Sequence, residues 1–399
     1  MNRPVSASAG ADRDFLTCVA LLWLAGMMLR VTILAVPPVI SQIRTDLGLS
    51  GTEVAILFTL PVMLFAMAAL FGSLLVSYLG SRKTLVGGLI VVAIGSALRG
   101  GISSAPALYG ATIVMAAGVA LLQPTMPVLI RQWTPSRIGF GAAVYSNGML
   151  VGEVLPVWLA QPLIMPLVNY DWRLQLAFWS LPVAAVALLT VVFAPRESER
   201  VKPLTVKPAA WWPNWKDPLI WRLGMIFGSV NALYFGTNAF LPDHLKASNG
   251  AHLIDGALFA LNLGQLPASL IILAISKRLE RRLWPYLACA LLAMASMAGM
   301  VFMVGAATLV WAGLFGFAMG AAFTLGLALP PLLCEPRDVG RVSAATFTIS
   351  YTFGVGASLV SGAFWDLAGS PEWAFVPLGL CTFMLIGSAL LLKRHRQLV

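Results

Sequence analysis

Arg30 interrupts an otherwise apolar stretch, Met27-Met28-Leu29-Arg30-Val31-Thr32. A guanidinium near the centre of a bilayer costs about 2.5–3.5 kcal/mol on insertion scales, so its presence asks for a compensating role. Its planar fork of donors suits an anionic or strongly polar, oxygen-bearing solute, held by paired hydrogen bonds in a water-filled cavity. The alternative is an arginine locked in a buried pair, or one capping carbonyls near a proline break. Glu153, in Gly152-Glu153-Val154, is a carboxylate set well inside an apolar run. It is either a proton carrier or a fixed counter-ion that offsets the cost of both charges.

A second polar group follows from an internal repeat. Pro135, Gly139 and Ala143 are echoed by Pro336, Gly340 and Ala344, and Asp171-Trp172 by Glu372-Trp373, all at a spacing of 201 residues. The same spacing carries Arg30 onto Asn231, and Asn231, Tyr234 and Asn238 share one stripe of a helix at i, i+3 and i+7. In transporters built from two parallel repeats, substrate sites sit near the bilayer midplane. Arg30 and Asn231 are therefore the expected substrate-binding residues, with Tyr234 and Asn238 beside them. An interhelical hydrogen-bonding stripe is the plainer alternative. Tyr145, Asn147, Gln123, Asn262, Gln265 and Tyr351 are further candidates for lining a polar cavity, since they too interrupt apolar runs. Arg99 closes its run and either steers anions inward or snorkels its charge to water.

The elements that must position these residues are membrane helices. Of 399 residues 59% are hydrophobic and only 11% charged, against roughly 25% charged in a soluble domain. Apolar runs long enough to cross a core of about 30 Å fall near 15–40, 53–78, 84–99, 107–130, 139–164, 172–194, 219–242, 253–276, 284–305, 308–334, 341–366 and 374–393. Prolines interrupt many of them, among them Pro37, Pro38, Pro61, Pro124, Pro127, Pro156, Pro267, Pro330 and Pro331; inside a membrane bundle they are expected to kink helices without ending them. Basic residues cluster on one side, at 3–13, 82–83, 131–137, 196–222, 277–282, 337–341 and 393–396. Only Arg44, Arg99, Arg173 and Lys246 fall on the other. That bias predicts an even number of spans with both termini cytoplasmic, in the inner (plasma) membrane. The expectation is an all-α integral membrane protein of about twelve transmembrane helices in two pseudo-symmetric six-helix halves. Residues 15–195 form the first half and 219–393 the second, with a cytoplasmic linker at 196–218 and tails at 1–14 and 394–399. Trp211, Trp212 and Trp215 of the linker suit a segment lying on the inner leaflet, or one that packs on the bundle.

Several functions are excluded at this level. The formal charge of +10 comes from short clusters between apolar runs, not from a basic face with interleaved aromatics, so no nucleic-acid partner is expected. Cys18, Cys289, Cys334 and Cys381 are far apart, without a CxxC motif or clustered histidines, so neither a disulfide framework nor a metal site is indicated. His244, His252 and His395 are expected in loops or the tail, which argues against a buried histidine relay. The first run lacks a cleavage site and reads as an uncleaved span. No GxxxxGK[ST] phosphate loop occurs, and neither a cofactor nor an enzymatic activity is expected.

Leu29-Arg30 with the paired prolines, Gln42-Ile43-Arg44-Thr45-Asp46-Leu47-Gly48-Leu49-Ser50, Pro124 to Pro127 with Pro135, Leu241-Pro242, and Gly354 to Asp366 running into Leu367-Ala368-Gly369 together resemble the major facilitator superfamily. Within it, the resemblance is to the branch of cyanate permeases and 2-nitroimidazole exporters. It covers essentially the whole chain. Where that superfamily places an acid before Gly-Arg-Arg/Lys, Ser77 precedes Gly80-Ser81-Arg82-Lys83, so the gating ion pair of this loop is weakened or absent. Asn238-Ala239-Phe240 departs from the aromatic that often stands just before Leu-Pro. The resemblance implies secondary active transport by rocker-switch alternating access, proton-coupled or by exchange, with a small-molecule substrate, protons and the lipid bilayer as partners; nothing in the sequence demands more than a monomer. Combined with Arg30, it predicts a small anionic or nitro/oxo-bearing organic solute. Efflux of neutral or hydrophobic compounds is the alternative, and a non-transporting membrane receptor is a third reading.

Overall fold

The computed structural model describes residues 5–195, 211–279, 281–303 and 305–394. Residues 196–210 of the expected linker 196–218, and the ends of both tails with His395, lie outside these residues. Twelve helical segments are long and apolar enough to span a bilayer, and no strand occurs among the described residues. We label the principal helices α1 (Val5–Leu34), α2 (Gly51–Leu79), α3 (Ser81–Leu98), α4 (Ala105–Trp133), α5 (Ile138–Leu159), α6 (Trp172–Phe193, re-started at Ser180), α7 (Pro218–Ala247), α8 (Ile254–Leu279), α9 (Trp284–Phe302), α10 (Ala307–Leu333), α11 (Val339–Ala368) and α12 (Phe375–Arg394). The chain forms two compact units, Met1–Pro213 with Cys334–Ala344 and Asn214–Leu333 with Ala345–Val399.

Local sequence accounts for where these helices begin. Ser50 accepts a hydrogen bond from Glu53 N, and the Glu53 carboxylate accepts from Ser50 N at 2.8 Å, a reciprocal capping box at the start of α2. Asp171 caps α6 through Arg173 N at 2.8 Å. Asp217 caps α7 through Leu219 N at 2.9 Å, with Pro218 at the first helical position, where its missing N–H leaves nothing unsatisfied. Pro61, Pro124, Pro127, Pro156, Pro242, Pro267, Pro330 and Pro331 all lie inside helices, as side-chain donors and neighbouring helices permit in a membrane bundle.

Pro37 and Pro38 behave otherwise. Here α1 stops at Leu34, and a 3-10 turn, Pro37–Val39, leads into a short helix, Ile40–Leu47. Two consecutive residues without N–H leave the carbonyls of Ile33 and Leu34 without their helical donors; Pro330-Pro331 remain inside α10, so the pair permits this break without by itself requiring it. The short helix is tied to α6 by an Arg173–Asp46 ion pair at 2.6 Å and by Trp172 Nε1 donating to Asp46 Oδ2 at 3.1 Å.

Inside the first unit, α1 and α5 run parallel and in close contact. Phe15 stacks on Phe140, Trp23 meets Asn147, and Arg30 meets Glu153, so contacts ascend together along both helices. Glycines make this approach possible. A β-carbon on Gly148 or Gly152 would collide with the carbonyl oxygen of Trp23 or Met27, and one on Gly26 with that of Tyr145. Small residues four apart let helix backbones touch where the bilayer provides no hydrophobic drive for association.

Candidate substrate-binding site

The α1–α5 contact brings the two intramembrane charges together. Arg30 Nε lies 3.4 Å from Glu153 Oε1, and both side chains keep some exposure, 15% and 20%. Two turns back, Trp23 Nε1 donates to Asn147 Oδ1 at 3.0 Å, placing an indole on the same face as Arg30. Tyr145 and Gln123 are buried in the first unit, on α5 and α4. The buried pair considered for Arg30 is therefore present, and a second arginine caps a carbonyl near the proline break.

That arginine is Arg99. Neither of its expected roles fits, because the side chain is 0% exposed and so can neither snorkel nor steer a solute from the surface. Its Nη2 donates to Thr32 O at 2.9 Å and to Ser96 Oγ at 3.2 Å. Its partner on α1 lies 67 residues away, and nothing in the local sequence signals the contact. His244 also departs from expectation. It lies within α7, is 6% exposed, and meets the Phe375 ring edge-to-face.

In the second unit the polar residues of α7 divide between two neighbours. Asn231 is buried and donates Nδ2 to Ser350 Oγ of α11 at 2.8 Å. Tyr234 turns to α8, its hydroxyl donating to Asn262 Oδ1 at 2.6 Å, while Asn262 Nδ2 donates to Asn238 Oδ1 at 3.3 Å and Asn238 Nδ2 to Tyr234 O at 2.8 Å. Gln265, one turn along α8, is 6% exposed and its Nε2 has no partner. Tyr351 is buried and stacks on Phe347. Ser350 is the residue that sequence reasoning missed, since a serine in an apolar run costs little and gives no signal. Arg30 and Asn231, matched by the repeat spacing, belong to separate units.

Arg82 donates Nη2 to Val191 O at the end of α6 at 2.6 Å, and Lys83 is exposed. Thus the first basic residue of this loop caps a helix terminus, where a cation also meets the negative end of the helix dipole. An open cavity of about 740 Å³ between the short helix Ile40–Leu47 and the start of α6 is lined by Gln42, Asp46, Tyr170, Trp172 and Arg173 among others, and contains none of the candidate residues.

With this geometry in hand, likeness to known proteins is informative. The family model of the Major Facilitator Superfamily matches residues 22–359. The chain is 28% identical to the cyanate transport protein CynX of Escherichia coli, over 92% of this chain and 94% of that one. It is 23% identical to the 2-nitroimidazole transporter of the same organism, over 94% of each. Among solved structures, the proton:xylose symporter XylE superposes with a TM-score of 0.74 over 96% of each chain, at 12% identity, a likeness of fold alone. Twelve spans in the fold of XylE and a family match over most of the length agree: the chain is a multi-pass membrane protein and belongs to the major facilitator superfamily.

Proposed function

We propose that this protein is a secondary active transporter for a small anionic or nitro/oxo-bearing organic solute, with Arg30 as the anchor. The observation that carries the reading is the Arg30–Glu153 pair, a guanidinium inside the membrane that keeps partial exposure and is matched by one carboxylate at 3.4 Å. An arriving anion competes with Glu153 for Arg30. The displaced carboxylate then takes a proton, so that solute and proton move together and the two negative charges are never left to share one cation. Net movement of one negative charge into a cell held at about −100 mV costs about 2.3 kcal/mol, and a co-transported proton cancels it. The likeness to a cyanate transporter and a 2-nitroimidazole transporter supports a small solute with an anionic or nitro/oxo group.

In this reading the two six-helix halves, 15–195 and 219–393, rock to alternate access. Tyr145, Asn147, Gln123, Asn231, Tyr234, Asn238, Asn262, Gln265 and Tyr351 supply polar contacts during the cycle. The linker 196–218 and both tails, 1–14 and 394–399, face the cytoplasm across the plasma membrane, as the charge bias requires, and the unit is a monomer. Pairing of Arg30 with Glu153 also favours one second reading: a pair that is neutral as a whole suits a neutral solute, with both residues structural.

A thermal-shift screen of the purified protein and its Arg30→Ala variant against cyanate, nitrate, small carboxylates, 2-nitroimidazole and neutral sugars separates the two. Stabilisation of the wild type alone by an anion is the expected result. Equal stabilisation of both proteins, or stabilisation by neutral compounds only, makes Arg30 structural and moves efflux of neutral compounds to first place.

A further inference from the structure

Arg99 is fully buried and, among the described residues, forms no ion pair with a carboxylate. Its Nε and Nη1 have no hydrogen-bond partner. An unmatched buried charge ordinarily costs several kcal/mol, so the fold must gain something from it. What Arg99 touches shows what that is. In an unbroken helix Thr32 O would accept from Val36 N, but at the proline break Val36 N turns to Ile33 O at 3.4 Å. Arg99 Nη2 takes the place of that donor at 2.9 Å. Two further carbonyls beyond Thr32 are held likewise by side chains: Gln175 Nε2 donates to Ala35 O at 3.3 Å, and Gln161 Nε2 to Pro38 O at 3.4 Å.

Only Arg99 among these three donors is charged, and its surroundings reward a positive charge without a carboxylate. It follows directly on the C-terminus of α3 at Leu98 and binds two residues before the C-terminus of α1 at Leu34. Each such terminus carries roughly half a negative charge. Ser96 Oγ, which accepts from Arg99, donates in turn to Leu176 O at 2.9 Å, so the clamp is braced against α6. Thr32 Oγ1 donates to Met115 Sδ at 3.2 Å, which braces it against α4.

Thr32 lies two residues beyond Arg30, about 200° around the helix. We propose that Arg99 is a positioning residue for the Arg30 site: it fixes the broken end of α1 from behind, so that Arg30 meets Glu153, and the solute, in one register. This rests on the proposed role of Arg30 as the solute anchor. Arg99 touches no solute; it acts through the backbone of α1.

The test combines a melting cycle with transport. Purified full-length wild type, Arg99→Met, Glu153→Gln and the double variant are melted in detergent, and cyanate uptake by proteoliposomes is measured for wild type, Arg99→Met and Arg99→Lys. Arg99→Met is expected to raise the half-saturating cyanate concentration about tenfold with a much smaller change in maximal rate, and Arg99→Lys to recover part of that loss, because misplacing a binding group by even about 1 Å is costly. The melting shifts of Arg99→Met and Glu153→Gln should sum to more than the double variant shows, as coupled sites do. Additive shifts, or a lower maximal rate at unchanged half-saturation, would overturn the proposal. Should Arg99→Met not fold, Arg99→Lys runs the same cycle. If wild type shows no cyanate uptake, cyanate is excluded as its solute, while the melting cycle still decides whether Arg99 positions Arg30.

Discussion

Replacing Gly148 by alanine places one methyl group where α1 and α5 meet. That β-carbon would lie well inside van der Waals distance of Trp23 O, with the Trp23 Cα and carbonyl carbon close behind, so no flexible side chain can give way. The two helices would have to part by about 1 Å, and overpacking of this kind costs about 1–3 kcal/mol. Against that stands the gain of about 0.5–1 kcal/mol from replacing glycine by alanine in a helix, leaving a net loss on the order of 1–2 kcal/mol. Arg30 and Glu153 stand along the same contact at 3.4 Å, so parting the helices also weakens the pair. Gly87 of α3 provides the control: a β-carbon there meets nothing within 4 Å, so Gly87→Ala should stabilise by the helix-propensity gain alone. Thermal unfolding in detergent, followed by intrinsic fluorescence, gives both signs in one experiment. A Gly148→Ala protein that melts at or above wild type, alongside Gly87→Ala, would refute the close-contact account of how Arg30 is brought to Glu153.

Other consequences follow from the same geometry. Arg30→Lys should weaken binding of an anionic solute by about 10–100-fold, since an ammonium cannot reproduce the planar fork; isothermal titration with the anion identified by the thermal-shift screen checks this, and unchanged affinity removes the anchor role. Glu153→Gln should abolish accumulation driven by a pH gradient while sparing solute exchange, measured as uptake against counterflow in proteoliposomes; loss of folded protein instead favours a fixed counter-ion. At the start of α2, hydrogen bonds from Ser50 N and Oγ hold the Glu53 carboxyl below the usual carboxylate range. A depressed folded value means that the stabilisation is present at neutral pH and lost as acid protonates Glu53. Melting temperature should therefore fall more steeply on acidification in the wild type than in Glu53→Gln, and identical acid slopes would remove the capping box as a contributor.

Twelve apolar runs, the helical class and the membrane setting were all readable in the sequence, because preference for lipid is a sum over residues and needs no knowledge of neighbours. The same holds for Arg30 and Glu153 as charges out of place. Arg99 and His244 were misread because position along a run does not report which way a side chain turns. The polar stripe of α7 was visible, yet its division between Ser350 and Asn262 depends on which helices stand beside it.

What the sequence by itself determined is therefore each residue's local cost: which segments avoid water, and which charges inside them need a reason. Only the tertiary structure decided how those costs are met. Glu153 meets Arg30 across 123 positions because glycines at 26, 148 and 152 let two backbones touch, and Arg99 supplies the donor that Thr32 O, 67 positions earlier, lacks where Val36 N turns to Ile33 O. Both are long-range contacts between groups whose need is local and whose partner is not, and a helix carries no record in its own sequence of the neighbour that will satisfy it.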